Sequence, residues 1–273
     1  MDTSTKRAYA KLNLTLGVLY KRADGYHALD SIMQTIDLFD TVTVERARDI
    51  VVTSTGMLLP YDNTVRRAAE LYRALTGRSV QIRVVKRIPA EAGLGGGSAD
   101  AAATLNALQE LYGEVDEKTL LEIAAKVGAD VPFCLKGGTQ RAEGIGEVLT
   151  PVRGMKLHLV VAKPAEGVST KKLFSLLKLP RTMPETTAAL KALSDGNLDA
   201  LFPLLYNALE ESAIELVPEI GRIKADLLAL GAKAACMSGS GSAVFGVFAD
   251  KAAAEQARAG LSNVAFSCVC ESN

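Results

Sequence analysis

The chain has 273 residues, 48% of them hydrophobic, enough to bury a large core in two closely packed domains. Lysine and arginine number 31 and are matched by 31 aspartates and glutamates, so net charge gives no case for a nucleic-acid-coating surface. No apolar run is long enough to span a membrane, and the opening residues lack a secretory apolar stretch. Cys134, Cys236, Cys268 and Cys270 show neither zinc-ligand nor disulfide-framework spacing. They read as reduced thiols of a cytoplasmic protein, with Cys268 and Cys270 expected on opposite faces of a strand.

In chain order, residues 8–20 read as a strand with Lys11, Asn13 and Thr15 on one face and Leu12, Leu14 and Leu16 on the other. A solvated sheet face explains that polar row as well as a function does. Asp24-Gly25 is a turn signal, which puts Tyr26 and His27 at a loop edge. Residues 31–38 and 41–47 read as two strands, with breaks at Asp49 and Gly56. Asp62 or Asn63 is placed to cap a helix through Val65, Ala68, Ala69 and Tyr72.

The most informative stretch follows. Val80, Ile82 and Val84 alternate as a strand, and Lys86-Arg87 leads into Pro89-Ala90-Glu91-Ala92-Gly93-Leu94-Gly95-Gly96-Gly97-Ser98. The alanine-rich segment after it carries Ala101, Leu105, Leu108 and Tyr112 on one helical stripe. Glycines allow positive φ and close approach to backbone N–H groups, and a helix start leaves donors free with partial positive charge. Strand, glycine loop and helix in that order favour a bound phosphate. A side chain at Gly96 is expected to stand where the phosphate must approach. The Walker pattern is excluded, because no Lys-Ser or Lys-Thr follows the glycines, and the dinucleotide fingerprint has different spacing.

Residues 118–126 read as a helix ended by Gly128, and Pro132 is expected to keep Val131 out of a helix. Asp130 between Ala129 and Val131 is an acid in an apolar setting, either a cap or a functional carboxylate. Beyond residue 155 the pattern is strand 157–162, a Ser169-Thr170 cap before Leu173 and Phe174, helix throughout 185–216, and a helix from Pro218 to Gly231. Strands 234–237, 243–248 and 264–270, with a helix over 251–261, complete a βαββαβ order. Ser238-Gly239-Ser240-Gly241-Ser242 joins two of those strands and reads locally as a hairpin turn.

Pro89 to Ser98 resembles the nucleotide loop of the GHMP kinases, the superfamily of galactokinase, homoserine kinase, mevalonate kinase and phosphomevalonate kinase. The resemblance implies an α+β, two-domain fold: residues 1–153 as an ATP-binding domain like ribosomal protein S5 domain 2, and residues 154–273 as a ferredoxin-like domain. It implies ATP as co-substrate, with Mg2+ expected and its ligands unassigned. Pro89, Gly93, Leu94, Gly95, Gly96, Gly97 and Ser98 would hold the nucleotide, with Asn63 near the adenine. Gly128-Ala129-Asp130-Val131-Pro132 resembles the element carrying the catalytic aspartate, with Lys11 as its charged partner. The pairing of Lys11-Leu12-Asn13-Leu14 with Asp24-Gly25-Tyr26-His27 is similar to one branch of the family, which phosphorylates a substrate bearing a cytidine diphosphate group on the non-mevalonate route to isoprenoids. For that branch Asn13, Tyr26, His27, Thr170 and Phe174 would bind substrate, and the Ser238–Ser242 loop would close over the site. No nucleic-acid or membrane partner is implied. Another small-molecule kinase of the superfamily, or a non-catalytic ligand-binding member, is the alternative.

Overall fold

The computed structural model describes residues 2–177 and 186–273. The chain divides into two compact units that are discontinuous in sequence. One comprises the segment ending at Ala10, Leu38–Ile88 and Gly95–Gly137; the other comprises Lys11–Asp37, Pro89–Leu94 and Gly138–Asn273. Two long strands, β1 (Thr3–Lys21) and β2 (His27–Ala47), contribute residues to each.

In the first unit, β3 (Val51–Thr55) lies parallel to β4 (Ser79–Val85), and β4 lies antiparallel to β2 with Thr41 opposite Val85 and Ala47 opposite Ser79. Val80, Ile82 and Val84 are buried and the residues between them exposed, as their alternation predicts. Helix α1 (Thr64–Thr76) is followed beyond β4 by α2 (Gly96–Tyr112), α3 (Glu117–Val127) and α4 (Val131–Lys136). Helix α2 is buried on nearly every side, and its alanines let α1 and α4 pack close. Val131 and Pro132 open α4, which corrects the expectation that proline would exclude helix there. At the first turn proline's missing N–H leaves no bond unmade. Gly128 still ends α3 by donating to Ala124, but with extended φ rather than a left-handed turn.

The second correction concerns β2, which is one unbroken strand where two were expected. Its interruption in the sequence pattern is Asp40, fully buried, whose Oδ1 accepts hydrogen bonds from the Arg87 and Ile88 N–H groups. Partners distant in sequence make the acid tolerable in mid-strand.

In the second unit, β5 (Thr139–Gly144) and β6 (Val148–Pro151) form an antiparallel pair. β5 joins β2 with Leu29 opposite Gly144. After β7 (His158–Lys163) come α5 (Thr170–Leu176), α6 (Thr186–Ser194), α7 (Leu198–Leu201) and a 3₁₀ turn at Phe202–Leu204. Then follow β8 (Tyr206–Asn207), parallel to β1, and α8 (Glu210–Leu216). The span 185–216 is therefore not continuously helical: Gly196 with φ 68° and Pro203 break it, and Glu185 lies outside the described residues. Helix α9 (Glu219–Ala229), β9 (Ala234–Met237), β10 (Val244–Phe248), α10 (Lys251–Gly260) and β11 (Phe266–Glu271) complete the chain.

The four-stranded antiparallel sheet runs β11-β7-β10-β9, that is fourth, first, third, second, which is the ferredoxin-like order expected. Ile220, Ile223, Leu227, Ala254 and Ala257 from α9 and α10 bury against Val160, Ala162, Val244 and Phe248. At Gly246 a Cβ would stand 3.1 Å from that of Ala232 and 3.3 Å from that of Leu227, so glycine lets α9 lie close on the sheet. Residues two apart in a strand share a face. Cys268 and Cys270 accordingly lie on one face of the strand rather than facing apart, and none of the four cysteines is in a disulfide.

Candidate active site

The glycine loop leaves β4 and opens α2. Gly95 is the helix N-cap residue with φ 69°, and the Ala99 N–H donates to the Gly95 carbonyl at 2.8 Å. The N–H groups of the first turn, Gly96, Gly97 and Ser98, precede the first helical hydrogen bond and are the donors an anion would use. Thr64 Oγ1 donates to the Gly97 carbonyl at 2.6 Å and fixes the loop from α1. Asn63 caps α1, its Oδ1 accepting from Arg66 N at 2.9 Å and its Nδ2 donating to Pro60 O at 2.7 Å. Gly96 departs from the sequence expectation. A Cβ there would meet Ile88 Cγ2 at 3.0 Å and lie 3.5 Å from Lys86 Nζ, so it would press on packed groups rather than stand in the phosphate's path.

Beneath this loop lies a charge cluster that sequence reasoning missed. Lys86 Nζ donates to Asp40 Oδ2 and, at 2.6 Å, to Asp100 Oδ2, and all three side chains are almost wholly buried. Burial pushes the Asp100 carboxyl up to about 7 against the pull of Lys86, and Asp40 adds to the rise. Its signal in the sequence was an aspartate inside an otherwise apolar alanine helix, 14 residues after the lysine that follows a strand.

In the second unit, Lys11, Asn13 and Thr15 form a buried polar row, not a solvated sheet face. Lys11 Nζ donates to Asn13 Oδ1 at 2.6 Å, Asn13 Nδ2 donates to Ser31 Oγ at 2.8 Å, and Ser31 Oγ donates to the Thr15 carbonyl at 2.6 Å. Ser238 ties this row to the start of the glycine loop: its Oγ accepts from Asn13 N at 3.3 Å and donates to the Gly93 carbonyl at 3.1 Å. The Lys11 N–H donates to the Leu94 carbonyl at 3.0 Å. Asn207, also unforeseen, donates from Nδ2 to the carbonyls of Met237 at 2.7 Å and Gly239 at 2.8 Å, holding the Ser238–Ser242 loop. Pro89 opens the same segment.

Three of the residues expected to bind substrate group together. The His27 ring stacks on Phe174 with centroids 4.9 Å apart and planes 26° apart. Thr170, one helical turn before Phe174 on α5, shares a 2.7 Å hydrogen bond with Ser240. Burial, aided by the charge of Lys21, lowers the His27 pKa, so its imidazole is neutral at pH 7 and can both donate and accept. Tyr26 is exposed at the loop edge beside the Asp24 turn, whose Oδ1 accepts from the Tyr26 N–H at 3.1 Å. Asp130 occupies the N-cap position of α4, half-buried, yet its side chain makes no capping bond to that helix. The plain capping reading of Asp130 is thereby removed.

The chain thus joins a helix opened by a glycine loop, a buried polar row that includes a lysine, and a ferredoxin-like sheet. Residues 63–138 match the model of the GHMP kinases N terminal domain, and residues 189–265 match that of the GHMP kinases C terminal. The chain is 40% identical to the 4-diphosphocytidyl-2-C-methyl-D-erythritol kinase of Caldicellulosiruptor saccharolyticus, over 97% of this chain and 96% of the relative. It is 43% identical to the enzyme of that name from Acetivibrio thermocellus, over 98% of each. A crystal structure of 4-(cytidine 5'-diphospho)-2C-methyl-D-erythritol kinase superposes with a TM-score of 0.85 at 37% identity, covering 98% of this chain and 99% of that one. The chain therefore belongs to the GHMP kinase family, and it is an ATP-dependent phosphotransferase. Among the described residues no helix is long and apolar enough to cross a membrane.

Proposed function

We infer that this chain transfers the γ-phosphoryl group of ATP to the 2-hydroxyl of 4-diphosphocytidyl-2-C-methyl-D-erythritol, on the methylerythritol phosphate route to isoprenoid precursors. The observation that carries the substrate is the His27–Phe174 stack, an aromatic platform beside a neutral imidazole. The relatives' shared name supports it.

Phosphoryl transfer rests on positioning and charge neutralisation. In this reading Gly93, Leu94, Gly95, Gly96, Gly97 and Ser98, entered through Pro89, cradle the phosphates, and the segment at Asn63 lies along the adenine. Asp130 takes or orients the proton of the acceptor hydroxyl. Lys11 offsets the charge that develops, and Asn13 positions the hydroxyl. Residues 1–153 would carry the nucleotide and 154–273 the ferredoxin-like part, in a cytoplasmic enzyme with no nucleic-acid partner. Among the described residues no cluster of three or more His, Cys, Asp or Glu could hold a metal ion. A magnesium ion, expected with ATP, would neutralise phosphate charge when bound.

Tyr26, His27, Thr170 and Phe174 would receive the cytidine. Stacking alone does not distinguish pyrimidines, so discrimination falls to polar groups at the base edge. A buried donor or acceptor left unpaired by the wrong base is penalised by about 1–3 kcal/mol. The uridine analogue is therefore expected to be a poor substrate. His27→Ala is expected to raise KM for the cytidine substrate and narrow the cytidine/uridine ratio of kcat/KM, with KM for ATP unchanged. Steady-state kinetics of both analogues decides it; an unchanged ratio removes His27 from the base pocket.

A further inference from the structure

The buried cluster of Asp40, Lys86 and Asp100 joins three pieces of chain around the glycine loop. Asp40 stands in mid-strand on β2, and its Oδ1 fixes the N–H groups of Arg87 and Ile88, where the chain leaves β4. Lys86, at that exit, is itself anchored by its N–H to the Thr55 carbonyl at 2.9 Å. Asp100 lies on α2, four residues after the helix begins, and its Oδ2 receives Lys86 Nζ at 2.6 Å. Gly96, the first residue of α2, sits over the ammonium, since a Cβ there would lie 3.5 Å from Nζ. Main chain before the loop and helix after it are thus tied to one buried cation.

Stability alone does not account for Asp100. Asp40 already balances Lys86, so the cluster holds a second buried acid that the ammonium does not need for charge balance. Asp100 Oδ1 is buried without a hydrogen-bond partner. An apolar residue of similar volume would serve packing as well or better, because buried ionic groups replaced by well-packed apolar ones are often neutral or stabilising. What the carboxylate adds is direction: it fixes how the first turns of α2 stand relative to the exit of β4. Misplacing that turn by about 1 Å is enough to lose a hundredfold in a positioned reaction.

We propose that Asp100, acting through Lys86 and Asp40, is a positioning residue for the nucleotide, holding the first turn of α2 at the angle that presents its N–H groups to the phosphates. This rests on the reading that the glycine loop takes the phosphates of ATP. It adds a residue outside the loop, touching no ligand, whose loss is read in ATP binding.

The test compares wild type, Asp100→Leu and Asp100→Asn, with Asp100→Ala in parallel as a second variant lacking the carboxylate. Each is measured for melting temperature, for ATP binding by calorimetry, and for KM of ATP, KM of acceptor and kcat. Asp100→Leu keeps the Lys86–Asp40 pair and removes the unpartnered oxygen, so its melting temperature is expected at or above that of wild type. Its KM for ATP and its calorimetric Kd are expected to rise about tenfold or more, with KM for acceptor unchanged. Asp100→Asn keeps an acceptor for Lys86 and is expected within about threefold of wild type. Wild-type ATP affinity in folded Asp100→Leu or Asp100→Ala would overturn the positioning role alone, as would an Asp100→Asn variant as weak as Asp100→Leu. Absence of ATP binding by wild type would overturn the loop reading and this proposal with it.

Discussion

Asp130→Ala is expected to lower kcat by about 10²–10⁴, the usual worth of a positioned acid–base group, while KM for ATP changes little. The half-buried carboxylate stands at the head of α4 with no side-chain capping bond, so its removal leaves that helix's backbone bonds in place. Lys11→Ala is expected to lose a comparable factor, since the lysine sits in a buried row with Asn13 and Ser31. If the two act as one unit, as proposed, the double variant loses far less than the product of the single losses. Single-turnover rates for the four proteins settle this: a fully multiplicative double loss would separate Lys11 from Asp130 and leave the acid without its proposed partner.

The second large effect falls on stability. Gly93 has φ 70°, and a Cβ there would overlap the Ser238 carbonyl oxygen and stand 2.9 Å from Gly241 N. Neither neighbour is a flexible side-chain tip: Ser238 is held by Asn13 N, and Gly239 beside it by Asn207. Gly93→Ala therefore combines left-handed backbone strain with overpacking, and is expected to destabilise the fold by roughly 2–5 kcal/mol. Gly25→Ala is the matched control, with φ 87° and open space around its Cβ, and is expected to show the backbone part alone. Denaturant midpoints of both variants make the comparison; equal losses would mean that the Ser238 loop yields.

What could be read from the sequence follows from how local each signal is. The glycine loop was legible because strand alternation, glycines and helical spacing occur within about thirty consecutive residues, and each has its own physical cause. The ferredoxin-like order was legible for the same reason, element by element. Asp40 was not, since its partners Lys86, Arg87 and Ile88 lie 46 to 48 residues away, and an unpaired acid in a strand reads as a break. β5 escaped because Thr139–Gly144 has no apolar alternation; it is held to β2 by its ladder and by the Arg141–Asp30 ion pair at 2.9 Å. The polar row Lys11, Asn13, Thr15 had two readings in sequence, and only burial separates them. His27 and Phe174, 147 residues apart, were linked by family resemblance alone before their stacking was seen. The geometry also changed the meaning of Gly96, whose missing side chain makes room for Ile88 and Lys86.

The central claim is that the chain phosphorylates a cytidine-diphosphate-linked acceptor with ATP, and ADP release against a panel of acceptors tests it most directly. The panel holds 4-diphosphocytidyl-2-C-methyl-D-erythritol, its uridine analogue, mevalonate and homoserine, each with ATP and Mg2+. The account predicts fast, stoichiometric ADP release with the first, with one phosphoryl group appearing on its 2-hydroxyl, slow release with the second, and background rates with the last two. ADP release with mevalonate or homoserine at a rate equal to or above that with the cytidine compound would contradict it.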